Sequence, residues 1–143
     1  MVIRESIAIR APIIKVWKVF TDLTCWADWN TVLKDVRAES PAITRGSQFQ
    51  CCIRPFALPL YFEPKVEEVV PFERVCWTGE KFGISSIHEF LFQTHGDTVT
   101  VVSEEVFSGL PVTVAGRLFP KWKLVALTRE FLEDLRKAAE SES

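Results

Sequence analysis

Two ionisable side chains in one predicted hairpin have the types and spacing for acid–base chemistry. The stretch 84–109 alternates apolar and polar residues on either side of Gly96 and Asp97, a dipeptide typical of a two-residue turn. Counting back from that turn pairs His88 with Glu105 across the two strands. A neighbouring carboxylate raises the pKa of a histidine and can orient it as a general acid or base. The pair could also bind a ligand hydroxyl or carbonyl, or it could be a satisfied polar pair that closes one end of the core.

One face of this hairpin is apolar apart from that pair and one hydroxyl. Alternate residues of a strand share a face, so the counted register groups the following side chains: His88, Phe90, Phe92, Val99, Val101, Ser103, Glu105 and Phe107. Such a face is typical of the wall of an apolar ligand pocket and equally of a plain core. Ser103 lacks a nucleophile-elbow motif such as G-x-S-x-G, so we expect no acyl-transfer triad.

Three tryptophans are further candidates for the same wall. Trp26 and Trp29 lie three residues apart in a predicted short helix, so they face the same side. They could stack on a ring-containing ligand, or they could belong to the core. Trp77 joins the wall if its strand turns it inward, but the register of that strand stays open because the preceding turn has no fixed length.

The segment 54–60, RPFALPL, is the candidate gate of such a pocket. It contains two prolines and four apolar residues without a regular period, which predicts an exposed loop. Phe56 is its candidate ligand contact. Exposed apolar residues here could touch a membrane, a protein partner or the ligand, or the loop could fold over the sheet as a lid.

The C-terminal segment predicts a long amphipathic helix that covers the apolar face. Pro120 marks its start, because proline is tolerated in the first turn of a helix and breaks its interior. Apolar residues follow at helical spacing, and charged residues occupy the other side. Three residues of the apolar stripe are candidate pocket residues: Leu124, Leu127 and Phe131.

The remaining chain completes an α+β fold. Residues 2–10 alternate as a first strand, two short helices follow from Pro12 to Trp29, and period-two segments then return. We predict about seven antiparallel strands in a curved sheet wrapped around the long C-terminal helix, because the strands and helices are segregated along the chain. The 143 residues show no repeat or linker, which predicts a single domain over residues 1–143.

Composition and motifs exclude several classes of function. Lys and Arg number 17 against 19 Asp and Glu, a formal net charge of -2, so nucleic acid is not an expected partner. No nucleotide motif, metal motif or C-x-x-C spacing is present, so we expect no cofactor and no metal. No apolar run approaches the ~20 residues of a transmembrane helix and no signal-peptide core is visible, which predicts a cytoplasmic protein. The four cysteines are expected to be free, buried thiols: Cys25, Cys51, Cys52 and Cys76.

Six short strings occur in order along almost the entire chain: I-x-I-x-A-P at 7–12, W-x-x-W-N at 26–30, V-E-E-V-V-P at 66–71, C-W-T-G-E at 76–80, H-E-F at 88–90 and E-x-F-x-G at 105–109. Their order resembles the START-like or SRPBCC superfamily, which has the helix-grip fold of birch-pollen-type allergens. Within it, the chain is most similar to the polyketide cyclase/dehydrase and lipid-transport type family.

The resemblance implies a deep cavity between sheet and long helix that takes a lipid, a polyketide, a sterol or another bulky apolar molecule. Binding or transport of such a hydrophobic small molecule is the primary hypothesis. An enzyme of cyclase, dehydratase or hydrolase type that uses His88 and Glu105 as acid and base is the alternative. A protein-interaction module that uses the segment 54–60 is a second alternative, because the fold hosts several activities. The sequence leaves the choice between monomer and dimer open.

Overall fold

The computed structural model describes residues 1–141, and within them the fold is α+β. The strands are β1 (Val2–Ile9), β2 (Lys34–Ala38), β3 (Phe49–Phe56), β4 (Leu58–Phe62), β5 (Lys65–Val70), β6 (Arg74–Lys81), β7 (Ile84–His95) and β8 (Thr98–Ser108). The helices are α1 (Ile13–Thr21), α2 (Trp26–Trp29), α3 (Leu110–Ala115) and α4 (Lys121–Glu140), with 3-10 turns at Leu23–Cys25 and Gly116–Leu118. The predicted α+β class, the two short helices after the first strand and the long C-terminal helix are confirmed.

The strands form two antiparallel sheets instead of the predicted single sheet of about seven strands. Five strands pair in the order β1-β8-β7-β6-β5, and three pair in the order β2-β3-β4. Helix α4 packs against β1, α1 and β3, so it contacts both sheets. The strand missing from the prediction is β4, which lies in the segment expected to be a loop.

The expectation of a loop at 54–60 is wrong, because this segment is the tip of the β3–β4 hairpin. Ile53 pairs with Leu60 and Phe56 pairs with Leu58, with an irregularity between them. Proline lacks the N–H that a ladder needs and is therefore confined to edges and bulges. Pairing of β3 with β2 ends at Cys52, so Pro55 needs no partner on that side. The second proline, Pro59, lies in β4, which is an edge strand of its sheet. Both prolines therefore fit strands that the sequence pattern did not reveal.

The register of the β7–β8 hairpin is the one counted from its turn. His95 pairs with Thr98, and His88 pairs with Glu105. Gly96 adopts a φ of 62°, the left-handed conformation that a tight hairpin turn of this kind requires. The turn therefore fixes which side chains of both strands face α4.

The core is a cluster of aromatic rings between the sheets, α1 and α4. The Phe20 ring stacks on Trp77 at 6.0 Å and contacts Trp26 at 6.0 Å and Phe90 at 4.8 Å. The indole N–H of Trp26 donates to the Phe20 carbonyl oxygen at 2.8 Å, so this buried polar atom is satisfied. Each such side chain contributes roughly 1.5–3 kcal/mol by leaving water.

Asn30 ends α2 and organises the turn that follows. Its Oδ1 accepts hydrogen bonds from the backbone N–H groups of Val32 and Leu33, both at 2.9 Å, and its Nδ2 donates to the Leu33 carbonyl oxygen. Such side-chain to backbone hydrogen bonds are typical of asparagine at the end of a helix. The turn places Val32 and Leu33 beside the pocket described below.

The four cysteines are free, but one of them is not buried. Cys51, Cys52 and Cys76 are buried, whereas Cys25 is exposed. Cys25 ends the 3-10 turn at the surface, where its thiol donates to the Asp22 carboxylate at 3.4 Å.

Within residues 1–141, no helix is both long enough and apolar enough to cross a bilayer.

Candidate functional site

A pocket of about 110 Å³ lies between α4 and the inner faces of both sheets. The five-stranded sheet and α4 supply the lining residues that the sequence pointed to: Trp77, His88, Phe90, Ser103, Glu105, Phe107, Leu124, Leu127 and Phe131. Trp77 faces inward because it pairs directly with His88 across β6 and β7. The structure therefore brings most of the candidate residues into one space.

The other candidate residues lie outside the lining: Trp26, Trp29, Phe56, Phe92 and Val101. Trp26, Phe92 and Val101 are packed inside the core. Trp29 packs at the edge of the same core. Phe56 is exposed at the tip of the β3–β4 hairpin. A residue that shares a strand face with His88 does not necessarily line the pocket, because the same face continues into the packed core.

Sequence reasoning missed the lining residues that come mainly from the second sheet and from connecting segments: Val32, Leu33, Cys51, Ile53, Phe62, Pro64, Gly79, Ser86 and Thr128. Two of them had a usable signal. Gly79 lies two residues after Trp77, and Ser86 lies two residues before His88, so strand alternation places both on the pocket face. The inner face of the second sheet had no such signal, because β4 was not predicted.

A chain of three polar side chains stands on the otherwise apolar pocket wall. The Nε2 atom of His88 lies 2.7 Å from the Oγ atom of Ser103, and its Nδ1 atom lies 3.5 Å from Glu105 Oε2. The His88 ring stacks on Phe90 at 4.2 Å and meets the edge of Trp77 at 5.5 Å. Both ring nitrogens therefore face polar neighbours, while the ring faces are covered by aromatic groups.

Burial keeps His88 and Glu105 uncharged. It lowers the pKa of His88 to about 3 and raises the pKa of Glu105 to about 8. The expectation that the carboxylate raises the histidine pKa is therefore wrong, because loss of water outweighs the attraction between the two charges. At neutral pH the uncharged forms dominate, so Glu105 is a carboxylic acid that can donate a hydrogen bond and His88 is a neutral imidazole.

Neither Ser103 nor Cys51 has the surroundings of an activated nucleophile. The Ser103 hydroxyl is within hydrogen-bond distance of His88. Its strand, β8, pairs with β1 on one side and β7 on the other, so the backbone amide of Ser103 lies inside the sheet. It is not placed to help form an oxyanion hole. Burial raises the pKa of the Cys51 thiol, which keeps it protonated. The arrangement suits hydrogen bonding and proton transfer better than covalent catalysis.

A wider groove of about 620 Å³ adjoins the pocket on the solvent side of the gap between β4 and β6. Pocket and groove share Phe62, Gly79 and Ser86. An added Cβ on Gly79 would lie 3.5 Å from Ser86 Oγ, so the missing side chain leaves space where the two volumes meet.

Among residues 1–141, no group of three or more His, Cys, Asp or Glu side chains could hold a metal ion.

Residues 1–140 match the family described as polyketide cyclase / dehydrase and lipid transport. The chain belongs to this family. Membership of the polyketide cyclase/dehydrase and lipid transport family supports a ligand-binding or cyclase role. A comparison with curated proteins finds no match.

Solved structures of other proteins share the fold at low sequence identity. A hypothetical protein from Helicobacter pylori is 17% identical, with a TM-score of 0.81 over 98% of this chain and 88% of that one. The di-domain ARO/CYC protein BexL of the BE-7585A biosynthetic pathway is 16% identical, with a TM-score of 0.82 over 100% of this chain and 51% of that one. Truncated norcoclaurine synthase from Thalictrum flavum is 13% identical, with a TM-score of 0.74 over 100% and 95%. At these identities the likeness establishes the fold alone.

Proposed function

We propose that this protein binds a small hydrophobic molecule that carries a carbonyl or hydroxyl group, in the pocket between the five-stranded sheet and α4. The observation that carries the proposal is the chain Ser103, His88 and Glu105, set in a wall that is otherwise almost entirely apolar. Binding pockets typically combine an apolar lining with a few convergent polar groups. A plain core would be expected to avoid the cost of burying three such groups.

The pocket volume limits the part of the ligand that is enclosed. An apolar cavity of about 150 Å³ takes one benzene molecule, so a pocket of about 110 Å³ holds a group of roughly one ring. A larger ligand would extend past Phe62 and Gly79 into the adjoining groove. The proposed ligand therefore has one compact apolar group buried and a remainder nearer the solvent.

The polarity of the pocket favours a neutral ligand. Within the described part of the chain, no lysine or arginine lines it. A ligand carboxylate would be buried without a counter-ion, which is costly. The protonated Glu105 can donate a hydrogen bond to a ligand carbonyl, and His88 can accept one from a hydroxyl. A ketone, an enol or a phenol therefore fits the site better than a free fatty acid.

Two probes of nearly equal size and different polarity test this proposal. Acetophenone and ethylbenzene share a phenyl ring, but only the ketone can accept a hydrogen bond. Calorimetry should show tighter binding of acetophenone to the native protein, by about five-fold. The preference should disappear in Glu105→Leu, which removes the hydrogen-bond donor, and persist in Thr100→Ala, whose side chain belongs to the opposite face of β8. Equal affinity of the two probes for the native protein, or no binding of either, would overturn the proposal.

Acid–base catalysis is a second candidate, favoured by the neutral state of both ionisable groups. A carboxylic acid kept protonated at pH 7 can act as a general acid, and a neutral imidazole can act as a base, although the lowered pKa of His88 makes it a weaker base than a free histidine. In the dehydration of a β-hydroxyketone, His88 would take the proton α to the carbonyl. The C–O bond would break as Glu105 protonates the departing hydroxyl, which leaves as water and yields the conjugated ketone. Proton transfer from His88 to Glu105 would then restore both groups.

The variant Glu105→Gln separates binding from catalysis. Glutamine keeps a hydrogen-bond donor at this position but has no acidic proton to transfer. Dehydration of 4-hydroxy-4-phenylbutan-2-one can be followed by the absorbance of the conjugated product. The catalytic candidate requires turnover by the native protein and its loss in Glu105→Gln, with acetophenone binding retained. Absence of turnover by the native protein would eliminate this candidate and leave the binding proposal standing.

A further inference from the structure

One end of the molecule carries large apolar side chains that neither the core nor the pocket uses. They come from three segments, residues 54–58 at the β3–β4 tip, residues 81–83 at the β6–β7 turn, and residues 109–123 around α3. We call these three segments the apolar tip. Its exposed large apolar residues are Phe56, Leu58, Phe82, Leu110, Val114, Leu118 and Trp122.

Contacts between the segments make the apolar tip one continuous surface. The Phe56 ring lies 6.3 Å from the Trp122 ring, which joins the hairpin tip to the start of α4. A Cβ added to Gly83 would lie 3.6 Å from Pro111, so the β6–β7 turn adjoins the start of α3. Helix α3 in turn contacts β7, β8 and the 3-10 turn at Gly116–Leu118.

The apolar side chains of this surface are highly exposed and lie together, unlike the isolated apolar residues that are common on protein surfaces. Leu118 is 89% exposed, Leu58 is 78% exposed and Trp122 is 70% exposed. Contiguous apolar patches of this kind mark interaction sites on soluble proteins. Phe82 is exposed as well, although its φ of 53° is left-handed, a conformation that asparagine or glycine adopts far more readily. A bulky aromatic residue thus stands at the very tip of a turn that does not favour it.

Charge identifies the partner that this surface fits. The apolar tip contains five basic residues and neither Asp nor Glu: Arg54, Lys81, Arg117, Lys121 and Lys123. All 19 acidic residues lie elsewhere in a chain whose formal net charge is -2. The basic residues are therefore concentrated beside the apolar side chains, against the overall charge. Apolar groups with a basic fringe are typical of proteins that lie on anionic lipid surfaces.

We propose that the apolar tip docks this protein on the surface of an anionic lipid bilayer. Phe82, Leu118 and Trp122 enter the interface between headgroups and acyl chains, where an amphipathic indole is favoured. The basic residues contact lipid phosphates and carboxylates. The docked surface adjoins the pocket, because Phe119 of the apolar tip packs on the pocket residue Phe107 with ring centroids 6.0 Å apart. The proposal stands whether or not the pocket binds the ketone probes.

Sedimentation of the full chain with lipid vesicles tests the proposal. Vesicles of phosphatidylcholine alone are compared with vesicles that also contain phosphatidylserine. We expect binding to the anionic vesicles, weakened by added salt, and little binding to the neutral ones. Lys121→Gln should weaken binding about five-fold, since a basic residue near such a surface is worth about that factor. Trp122→Ala should weaken it about ten-fold, because a large apolar side chain no longer leaves water.

Matched controls come from the opposite end of the molecule. Ile14 in α1 is 69% exposed and neighbours Lys15, which donates to the Ser141 carbonyl oxygen beyond the far end of α4. Arg45 is an exposed basic residue that precedes β3. The opposite end of β3 belongs to the apolar tip, so Arg45 lies away from it. Ile14→Ala and Arg45→Gln should leave vesicle binding unchanged. These variants remove the same kinds of group from surfaces that the proposal keeps away from the lipid.

Phe82→Asn separates lipid binding from folding. Asparagine suits the left-handed turn, so the variant should unfold at the same or a higher temperature than the native protein. Its binding to the anionic vesicles should nevertheless weaken several-fold. The proposal is overturned if the native chain sediments with neither type of vesicle, even where a protein partner is captured instead. Equal binding to both vesicle types, or unchanged binding of Lys121→Gln and Trp122→Ala, would also overturn it.

Discussion

His88 and Ser103 meet across the β7–β8 hairpin, with Nε2 and Oγ 2.7 Å apart, although they are not directly opposite each other in the ladder. The residue opposite His88 is Glu105, whose carboxyl group is reached at 3.5 Å by the other ring nitrogen. Two successive inward positions of β8 therefore bracket one imidazole from β7. Because the turn fixes the register, the positions of His88, Ser103 and Glu105 in the sequence determine the geometry of the polar wall.

Protein stability should depend on pH through this wall. Between pH 4.5 and about 8 the folded chain keeps a proton on Glu105 that the unfolded chain has released, so stability falls as pH rises. Between pH of about 3 and 6.5 the unfolded chain keeps a proton on His88 that the folded chain lacks, so stability rises with pH. The two effects oppose each other from pH 4.5 to 6.5. We therefore predict a rise below pH 4.5, a plateau, and a fall from pH 6.5 to about 8.

Urea unfolding at a series of pH values measures this profile. Glu105→Gln has no carboxyl proton to lose, so the fall between pH 6.5 and about 8 should disappear in that variant. Thr100→Ala, on the opposite face of β8, should keep the native profile. Identical slopes in this pH range for the native protein and Glu105→Gln would show that burial does not hold Glu105 in its protonated form.

Gly79→Val should separate compact ligands from extended ones. Gly79 lines both the pocket and the outer groove, and a valine there would fill the space where they meet. We predict that binding of 1-phenylhexan-1-one falls about ten-fold or more, because its chain has to leave the pocket along this path. Acetophenone, which has only an acetyl group beyond its ring, extends less far along this path and should lose much less affinity. Calorimetry with both ketones checks this, and equal losses for the two would argue against a route past Gly79.

Trp26→Phe and Trp29→Phe should differ in stability although the chemical change is the same. The Trp26 indole N–H donates to the Phe20 carbonyl oxygen, and its loss leaves that oxygen without this donor inside the core. Within residues 1–141, the buried Nε1 atom of Trp29 has no hydrogen-bond partner. We predict a loss of about 2–4 kcal/mol for Trp26→Phe and of about 0–1 kcal/mol for Trp29→Phe. Urea unfolding measures both, and similar losses would contradict the assignment of the two indoles.

The sequence was sufficient for the parts of the structure that follow from local rules. The dipeptide Gly96-Asp97 fixed the β7–β8 register, and helical periodicity after Pro120 located α4. These two elements already bring His88, Glu105 and Leu124 to one pocket. Strand alternation from Trp77 and His88 could have added two more lining residues, Gly79 and Ser86.

The remainder depended on tertiary relationships that local patterns do not contain. Pro55 and Pro59 indicated a loop, yet both fit a hairpin, because β3 has lost its β2 partner before Pro55 and β4, which contains Pro59, is an edge strand. The second sheet and its side of the pocket were therefore missed. The direction of the His88 pKa shift was also wrong, because it depends on how much water the surrounding helices and sheets exclude. Burial is a property of the assembled fold.

The most direct test of the central claim is the nitrogen NMR spectrum of the histidines during titration with acetophenone. The chain has two histidines, His88 in the pocket and His95 exposed at the β7–β8 turn, so the second is an internal control. A ligand that binds against the polar wall should shift the ring signals of His88 in a saturable manner and leave those of His95 in place. Unchanged His88 signals at saturating ketone, or parallel drift of both histidines without saturation, would contradict ligand binding at this site.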